Sequence, residues 1–449
     1  MGRIFGTDGV RGVANTELNC ELAMNLGRAA AMVLTDNEHR APKILIGKDT
    51  RISSNMLEGA LIAGLCSVGA NVVTLGYIPT PAVAFLVGKY KADAGFMISA
   101  SHNSFEFNGI KIFNGDGFKL ADALEERIEE IVLDEEFEYP KVEGKNIGKV
   151  TQADNAVRDY IDHIKSTVPF ALTGMKVAFD CANGSASVTA KTLFSELGAE
   201  VHMLYSDYNG ININDDCGST HMQNLIDYVK SNDVECGIAF DGDADRCLAV
   251  DKNGNIVDGD VIMAICASDL KSRGKLNDNA VVGTIMSNMG FIRFCEENKI
   301  KFNQTKVGDR YVLEDMLMEG YNLGGEQSGH VIFLDFATTG DGQLTAAHLL
   351  SILKRRNARL SSLATLMEHY PQVMINVKVS AEGRLRFYTD SEIKAAILKE
   401  KEALGKRGRI VVRVSGTEPL VRVMLEGESE QEITQIAQKL ADLVQVRLS

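Results

Sequence analysis

The sequence predicts an α/β protein, with three layered α/β units followed by a smaller α+β domain. Three observations carry that reading. Short apolar runs bounded by turn residues alternate with helical stretches through most of the chain, the pattern of strands layered with helices. A chain of 449 residues also exceeds what one hydrophobic core organises, so length asks for about three domains and allows four. The last stretch then changes character, to longer paired strands and amphipathic helices. The boundaries expected are 1–151, 152–252, 253–369 and 370–449.

The first unit opens with a strand from Lys43 to Gly47, a helix beginning near Ser53, a strand from Val72 to Leu75 and another from Gly95 to Ser99. Gly59 to Gly88 holds no charged residue and is long enough to span a bilayer. Gly64, Gly69, Asn71, Gly76, Pro79 and Pro81 divide it into helix, strand and helix, so buried α/β packing is expected and no membrane partner. The acidic stretch Glu125 to Glu143 reads as a surface helix and solvated linker. The second unit starts with a strand Lys176 to Asp180 and a helix near Ser185 to Leu197, then a strand Cys236 to Phe240. The third runs from about Gly254, with a strand Val281 to Met286 and a Gly324-Gly325 turn. Each unit ends an element on a polar motif, which points to domains facing one cleft.

In the last domain the expected elements are a strand Val373 to Val379, a helix Ser391 to Ala403 and paired strands Arg409 to Val414 and Leu420 to Leu425. A terminal helix follows. Ser429 and Glu432 form a capping box, and Ile433, Ile436, Ala437, Leu440 and Val444 recur at helical spacing.

Apolar residues make up 45% and charged residues 24%, which argues against disorder. A net charge of −14 repels polyanions and disfavours nucleic acid as a partner. Basic residues instead gather inside the motifs, at Arg11, Lys48, Arg51, Lys111, Arg246, Arg310, Arg413 and Arg422. Eight scattered cysteines without a Cys-x-x-Cys fit reduced thiols in a cytoplasmic protein. The N-terminus carries neither a signal-peptide pattern nor a myristoylation pattern.

Asp241, Asp243 and Asp245 place three carboxylates at alternate positions directly after a strand, on a Gly-containing loop followed by Arg246. Such a set suits a hard, oxygen-preferring cation such as Mg2+. A calcium loop of the EF-hand type is excluded, because Arg246 and Lys252 stand where that loop needs Gly and Glu. Ser101 follows a strand at the end where open α/β sheets place ligand chemistry. A free hydroxyl is a weak nucleophile; a phosphorylated one is a phosphoryl donor, and a nearby dication offsets the charge that would repel an incoming phosphate. His102 and Lys111 are close enough in sequence to assist the transfer or shuttle a proton, while a loop-orienting role for His102 is equally open.

Glu326, Ser328 and His330 alternate on a Gly-flanked loop, so their side chains can point together at a polyhydroxylated ligand. Arg413, Ser415, Gly416, Thr417 and Arg422 combine guanidinium forks, hydroxyls and backbone N–H groups into a phosphate cradle. Neither a Walker A sequence nor a Gly-x-Gly-x-x-Gly fingerprint supports a nucleotide. Phe5 to Gly12, which holds Arg11, and Gly47 to Arg51 add basic residues beside turn glycines.

With these motifs in this order from Phe5 to about Gly427, the chain closely resembles the α-D-phosphohexomutases. Asp241–Arg246, Gly325–His330, Gly308–Tyr311 and Cys217–His221 look most like the bacterial branch acting on glucosamine phosphates. The resemblance implies four domains around a central cleft and an isomerase that interconverts glucosamine 6-phosphate and glucosamine 1-phosphate through a 1,6-bisphosphate. It implies that Ser101 is the phosphoserine, and that one Mg2+ per active site is held by Asp241, Asp243, Asp245 and a phosphoserine oxygen. A glucosamine 1,6-bisphosphate or similar activator is implied too. Arg11, His102, Lys111 and Arg246 would serve catalysis, with Glu326, Ser328, His330 and Arg310 contacting the sugar. Arg413, Ser415, Gly416, Thr417 and Arg422 would hold the phosphate that is not reacting. Two positions depart from the family pattern, Ser104 and Met222, where proline is usual; altered loop stiffness is the expected effect. Glucose or mannose phosphates as substrates, and a non-catalytic sugar-phosphate sensor on the same fold, are the alternatives. A monomer or homodimer fits the sequence equally.

Overall fold

A computed structural model describes residues 4–6, 8–35, 41–134, 137–415 and 420–449. The chain divides into two compact units, Met1–Thr284 with Asn303–Leu366, and Ile285–Phe302 with Met367–Ser449.

The first unit contains three sheets, of whose third the edge strand Lys301–Thr305 belongs to the unit only from Asn303. One runs in the order Phe5–Gly6, Gly9–Val13, Phe107–Asn114, Ala94–Ile98, Lys43–Lys48, Asn71–Tyr77 and Val150–Gln152. Its last four strands are parallel and its first four antiparallel. Lys43–Lys48 and Ala94–Ile98 are almost wholly buried, as expected of parallel strands covered on both faces. The helices Cys20–Thr35 and Ile52–Ser67 pack closely on one face through Ala and Leu side chains. Gly64 makes that approach possible, since a Cβ there would lie 2.2 Å from the Met24 carbonyl oxygen.

The second sheet has the order Ile256–Val257, Cys247–Asp251, Cys236–Phe240, Lys176–Asp180 and Glu200–Leu204; the third has Lys301–Thr305, Ala280–Thr284, Leu323–Gly325 and Val331–Phe333. The uncharged stretch resolves into the helix Ile52–Ser67, the strand Asn71–Tyr77 and the helix Thr80–Tyr90. Among the described residues no helix is long and apolar enough to cross a membrane.

The second unit is a three-stranded antiparallel sheet, Gln372–Lys378, Leu420–Gly427 and Gly408–Val414, carrying the terminal helix Glu430–Leu448. Ile433, Ala437, Leu440 and Val444 join Val421, Val423 and Leu425 in one core. Ser429 caps the helix by accepting the Glu432 N–H, but the Glu432 carboxylate pairs with Arg407, so only half of the expected capping box forms. Ile285–Phe302 also packs in this unit. The N–H of Met289, at the start of its helix, donates to the buried Glu426 carboxylate at 2.9 Å.

The acidic stretch corrects an expectation. The helix Asp122–Leu133 is not a purely solvated face, since Glu125 and Glu129 are buried. Glu129 accepts the N–H groups of Ile4 and Phe5 at 2.7 Å each, and Glu125 pairs with Arg310.

Candidate active site

Ser101 sits in the turn after the strand Ala94–Ile98, 1% exposed, with a left-handed φ of +52°. Its Oγ donates to Asp241 Oδ2 at 2.6 Å and lies 3.3 Å from His102 Nδ1. Burial, reinforced by Arg246 and Arg11, lowers the His102 pKa to about 4, so this imidazole is neutral at pH 7.

The loop after Cys236–Phe240 brings Asp241, Asp243 and Asp245 together, with one carboxylate oxygen of each lying within 4.8 Å of the others. All three are buried. Burial, with Asp245 and Asp243 as like-charged neighbours, raises the Asp241 pKa well above the ordinary carboxylate value. Oδ1 of Asp243 and Oδ1 of Asp245 are buried without a hydrogen-bond partner. Crowded carboxylates with orphaned oxygens are what a hard cation satisfies, so the donor set fits a divalent metal. Gly242 allows the two loops to meet, because a Cβ there would lie 2.6 Å from the Ser101 carbonyl oxygen.

Lys111 enters this cluster from the strand Phe107–Asn114, which lies antiparallel between Ala94–Ile98 and Gly9–Val13. Its Nζ lies 2.8 Å from Asp243, 3.1 Å from Asp245 and 3.0 Å from Asp8. Burial opposes its charge, but the three carboxylates outweigh burial and raise its pKa well above normal. Burial likewise opposes ionisation of Asp245, yet Lys111, His330 and Arg246 hold it well below the usual range. Lys119 bridges Asp8 and Asp309 in the next layer. Arg246 donates its backbone N–H to Asp241 Oδ1 at 3.1 Å, and its Nε lies 4.0 Å from Oδ2. Arg11, on the exposed side, pairs with Asp8.

The Gly325–His330 loop is tied to the Asp loop by the Cys247 N–H, which donates to the Gly329 carbonyl at 3.0 Å. Its three polar side chains do not share one environment. Ser328 is exposed, Glu326 is half-buried and accepts the Gly308 N–H at 3.1 Å, and His330 is buried. His330 Nε2 accepts the Gly340 N–H at 3.0 Å, which leaves the ring proton on Nδ1, 3.7 Å from Asp245 Oδ1. His330 therefore points down onto the acidic cluster, away from the common direction that the alternation suggested. Arg310 is turned onto the helix Asp122–Leu133, donating to Glu125 at 2.8 Å and to the Leu120 carbonyl at 2.9 Å.

In the second unit, Arg413 and Arg422 are register partners on adjacent antiparallel strands. Burial, then the charge of Arg422, lowers the Arg413 pKa. Ser415 is buried, and its carbonyl accepts from Arg384 at 2.9 Å. Gly416 and Thr417 lie outside the described residues.

Three residues around Ser101 escaped the sequence reading as site residues. Arg51 and Asn214 both donate to the Ser101 and Asn103 carbonyls, and Thr80 Oγ1 donates to Asp243 at 2.5 Å. Arg51 stood among the basic motif residues; Asn214 and Thr80 gave no local signal. Of the two usual proline positions, Ser104 offers its carbonyl to Arg51 and Met222 is a buried apolar residue.

Family models for the phosphoglucomutase/phosphomannomutase domains match in order: α/β/α domain I at residues 2–139, domain II at 158–254, domain III at 258–370 and the C-terminal domain at 374–443. The chain belongs to the phosphoglucomutase/phosphomannomutase family, whose members are phosphohexomutases, isomerases that move a phosphoryl group. It is 56% identical over 450 residues to a protein of Caldanaerobacter subterraneus subsp. tengcongensis named phosphoglucosamine mutase, with all of both chains covered. Among solved structures, a phosphoglucomutase/phosphomannomutase family protein from Burkholderia thailandensis superimposes with a TM-score of 0.83 at 25% identity, covering 99% of this chain and 98% of that one. The Aspergillus fumigatus N-acetylphosphoglucosamine mutase in complex with GlcNAc-6P and magnesium shares the fold, with a TM-score of 0.67 at 16% identity over 99% and 96% of the chains.

Proposed function

We propose that this enzyme interconverts glucosamine 6-phosphate and glucosamine 1-phosphate by way of a phosphorylated Ser101. The observation that carries the reading is the 2.6 Å contact of Ser101 Oγ with Asp241, inside a buried carboxylate triplet fit for a divalent cation. The name of the Caldanaerobacter relative supports the sugar, and the magnesium of the Aspergillus complex supports the metal.

In this scheme phosphoserine gives its phosphoryl group to the free hydroxyl of the bound sugar phosphate; the serine P–O bond breaks as the sugar P–O bond forms. The resulting 1,6-bisphosphate turns over and returns its other phosphate to Ser101. His102, neutral at pH 7 and 3.3 Å from Ser101 Oγ, is our candidate for taking the proton that the sugar hydroxyl loses and passing it to the departing Ser101 Oγ. Asp241, Asp243 and Asp245 would hold one Mg2+, whose contribution is to offset charge on the transferring phosphate. Glu326 and Ser328 are assigned to the sugar hydroxyls, and Arg413 and Arg422 to the distal phosphate. The domain division at 151, 252 and 369 is proposed on the support of the four matched segments. A cytoplasmic location is proposed from eight free thiols.

Turnover of glucosamine, glucose and mannose phosphates measured side by side is the test. Preference for the glucosamine esters is expected, and preference for mannose 1-phosphate would overturn the choice of sugar.

A further inference from the structure

The side chain that spends most on the Ser101 turn is Arg51, which is fully buried. All five of its N–H donors are used. Nε donates to Asp49 at 2.8 Å, Nη1 to the carbonyls of Ser104 and Phe107, and Nη2 to those of Ser101 at 2.9 Å and Asn103 at 2.8 Å. Its counter-ion Asp49 is itself fixed by the Arg51 backbone N–H and by Ser54 Oγ. From the opposite loop, Asn214 Nδ2 donates to the same Ser101 and Asn103 carbonyls at 2.9 Å each.

Four carbonyls between residues 101 and 107 thus converge on one guanidinium, and two of them also on an amide. A serine in the left-handed region is strained by its Cβ and persists only where its surroundings over-determine the backbone. Carbonyl acceptors held by a charged planar fork supply that constraint, because a fork fixes direction as well as distance.

We infer that Arg51, seconded by Asn214, is a positioning residue that holds the Ser101 backbone in its left-handed turn, so that Oγ stays aimed at the Asp241 loop during successive transfers. Arg51 acts through the carbonyls and touches no reacting atom. The inference rests on the reading of Ser101 as the phosphoryl carrier. A displaced hydroxyl on the order of 1 Å out of line costs about 100-fold in rate.

The experiment loads magnesium-replete enzyme with glucose 1,6-bisphosphate and follows Ser101 phosphorylation by intact mass in wild type, Arg51→Lys and Asn214→Ala, alongside kcat, KM and thermal melting. Arg51→Lys keeps the charge but loses the fork, and is expected to slow phosphorylation and kcat by about 100-fold with KM little changed. Asn214→Ala, which leaves the fork in place, is expected to give a smaller loss in kcat at near wild-type melting temperature; it serves as the readout if Arg51→Lys does not fold. Wild-type phosphorylation rates in a folded Arg51→Lys, or in Asn214→Ala should Arg51→Lys not fold, would overturn the inference. A wild-type chain that never takes up phosphate would instead overturn the underlying reading of Ser101.

Discussion

Lys111 Nζ lies 2.8 Å from Asp243 Oδ2 and 3.1 Å from Asp245 Oδ2, so a buried amine stands inside the carboxylate triplet. Its charge offsets those of Asp8, Asp243 and Asp245 in a water-poor site. Replacing Lys111 by Met leaves Asp8, Asp243 and Asp245 without their shared cation, and removing one partner of a buried charge cluster costs about 3–5 kcal/mol. A correspondingly lower unfolding midpoint is expected in metal-free buffer. Millimolar Mg2+ should restore part of the loss, because the dication binds the folded site only. Urea unfolding with and without Mg2+ checks both.

Arg413 and Arg422 are cross-strand partners of like charge, an arrangement that weakens a sheet unless an anion lies between them. In Arg422→Ala the KM for the sugar phosphate should rise by about 10-fold or more, the worth of one charge-assisted hydrogen bond to phosphate. Steady-state kinetics at two salt concentrations, with a thermal melt, distinguish this from general damage.

His348 is packed between Phe333 and Phe336, its Nε2 3.0 Å from Thr167 Oγ1, and burial lowers its pKa from 6.5 to about 4. Between those values the unfolded chain binds a proton that the folded chain excludes, so stability contributed by the neutral ring is lost as pH falls through that window. Relative to His348→Gln, the wild type should lose about 2 kcal/mol of unfolding free energy between pH 7 and 5. Parallel denaturant titrations at the two pH values measure it.

Local chemistry made the acidic and serine motifs legible in the sequence. Asp241, Asp243 and Asp245 announce themselves by spacing after an apolar strand, and Ser101 by its place after another. What pairs with them was not legible, because it arrives through tertiary topology. The strand Phe107–Asn114 returns antiparallel to Ala94–Ile98, and that return is what puts Lys111 under the triplet. Asn214 reaches the site from another loop and Thr80 from the first position of the helix Thr80–Tyr90, with no signal in their neighbours. Alternation suggested that His330 shares the direction of Glu326 and Ser328, but the loop turns at Gly329, which has a φ of +95°, and buries the ring against Asp245. Composition misled once. Glu125 and Glu129 belong to an acidic stretch, yet they turn inward to meet Arg310 and the N-terminal strand.

The most direct test of the central claim is the isomerisation rate of a Ser101→Ala variant saturated with Mg2+ and a hexose 1,6-bisphosphate. The account predicts a folded, metal-binding protein with turnover reduced by about 1,000-fold or more, because covalent transfer has lost its carrier. Conversion of glucosamine 6-phosphate at the wild-type rate would contradict it.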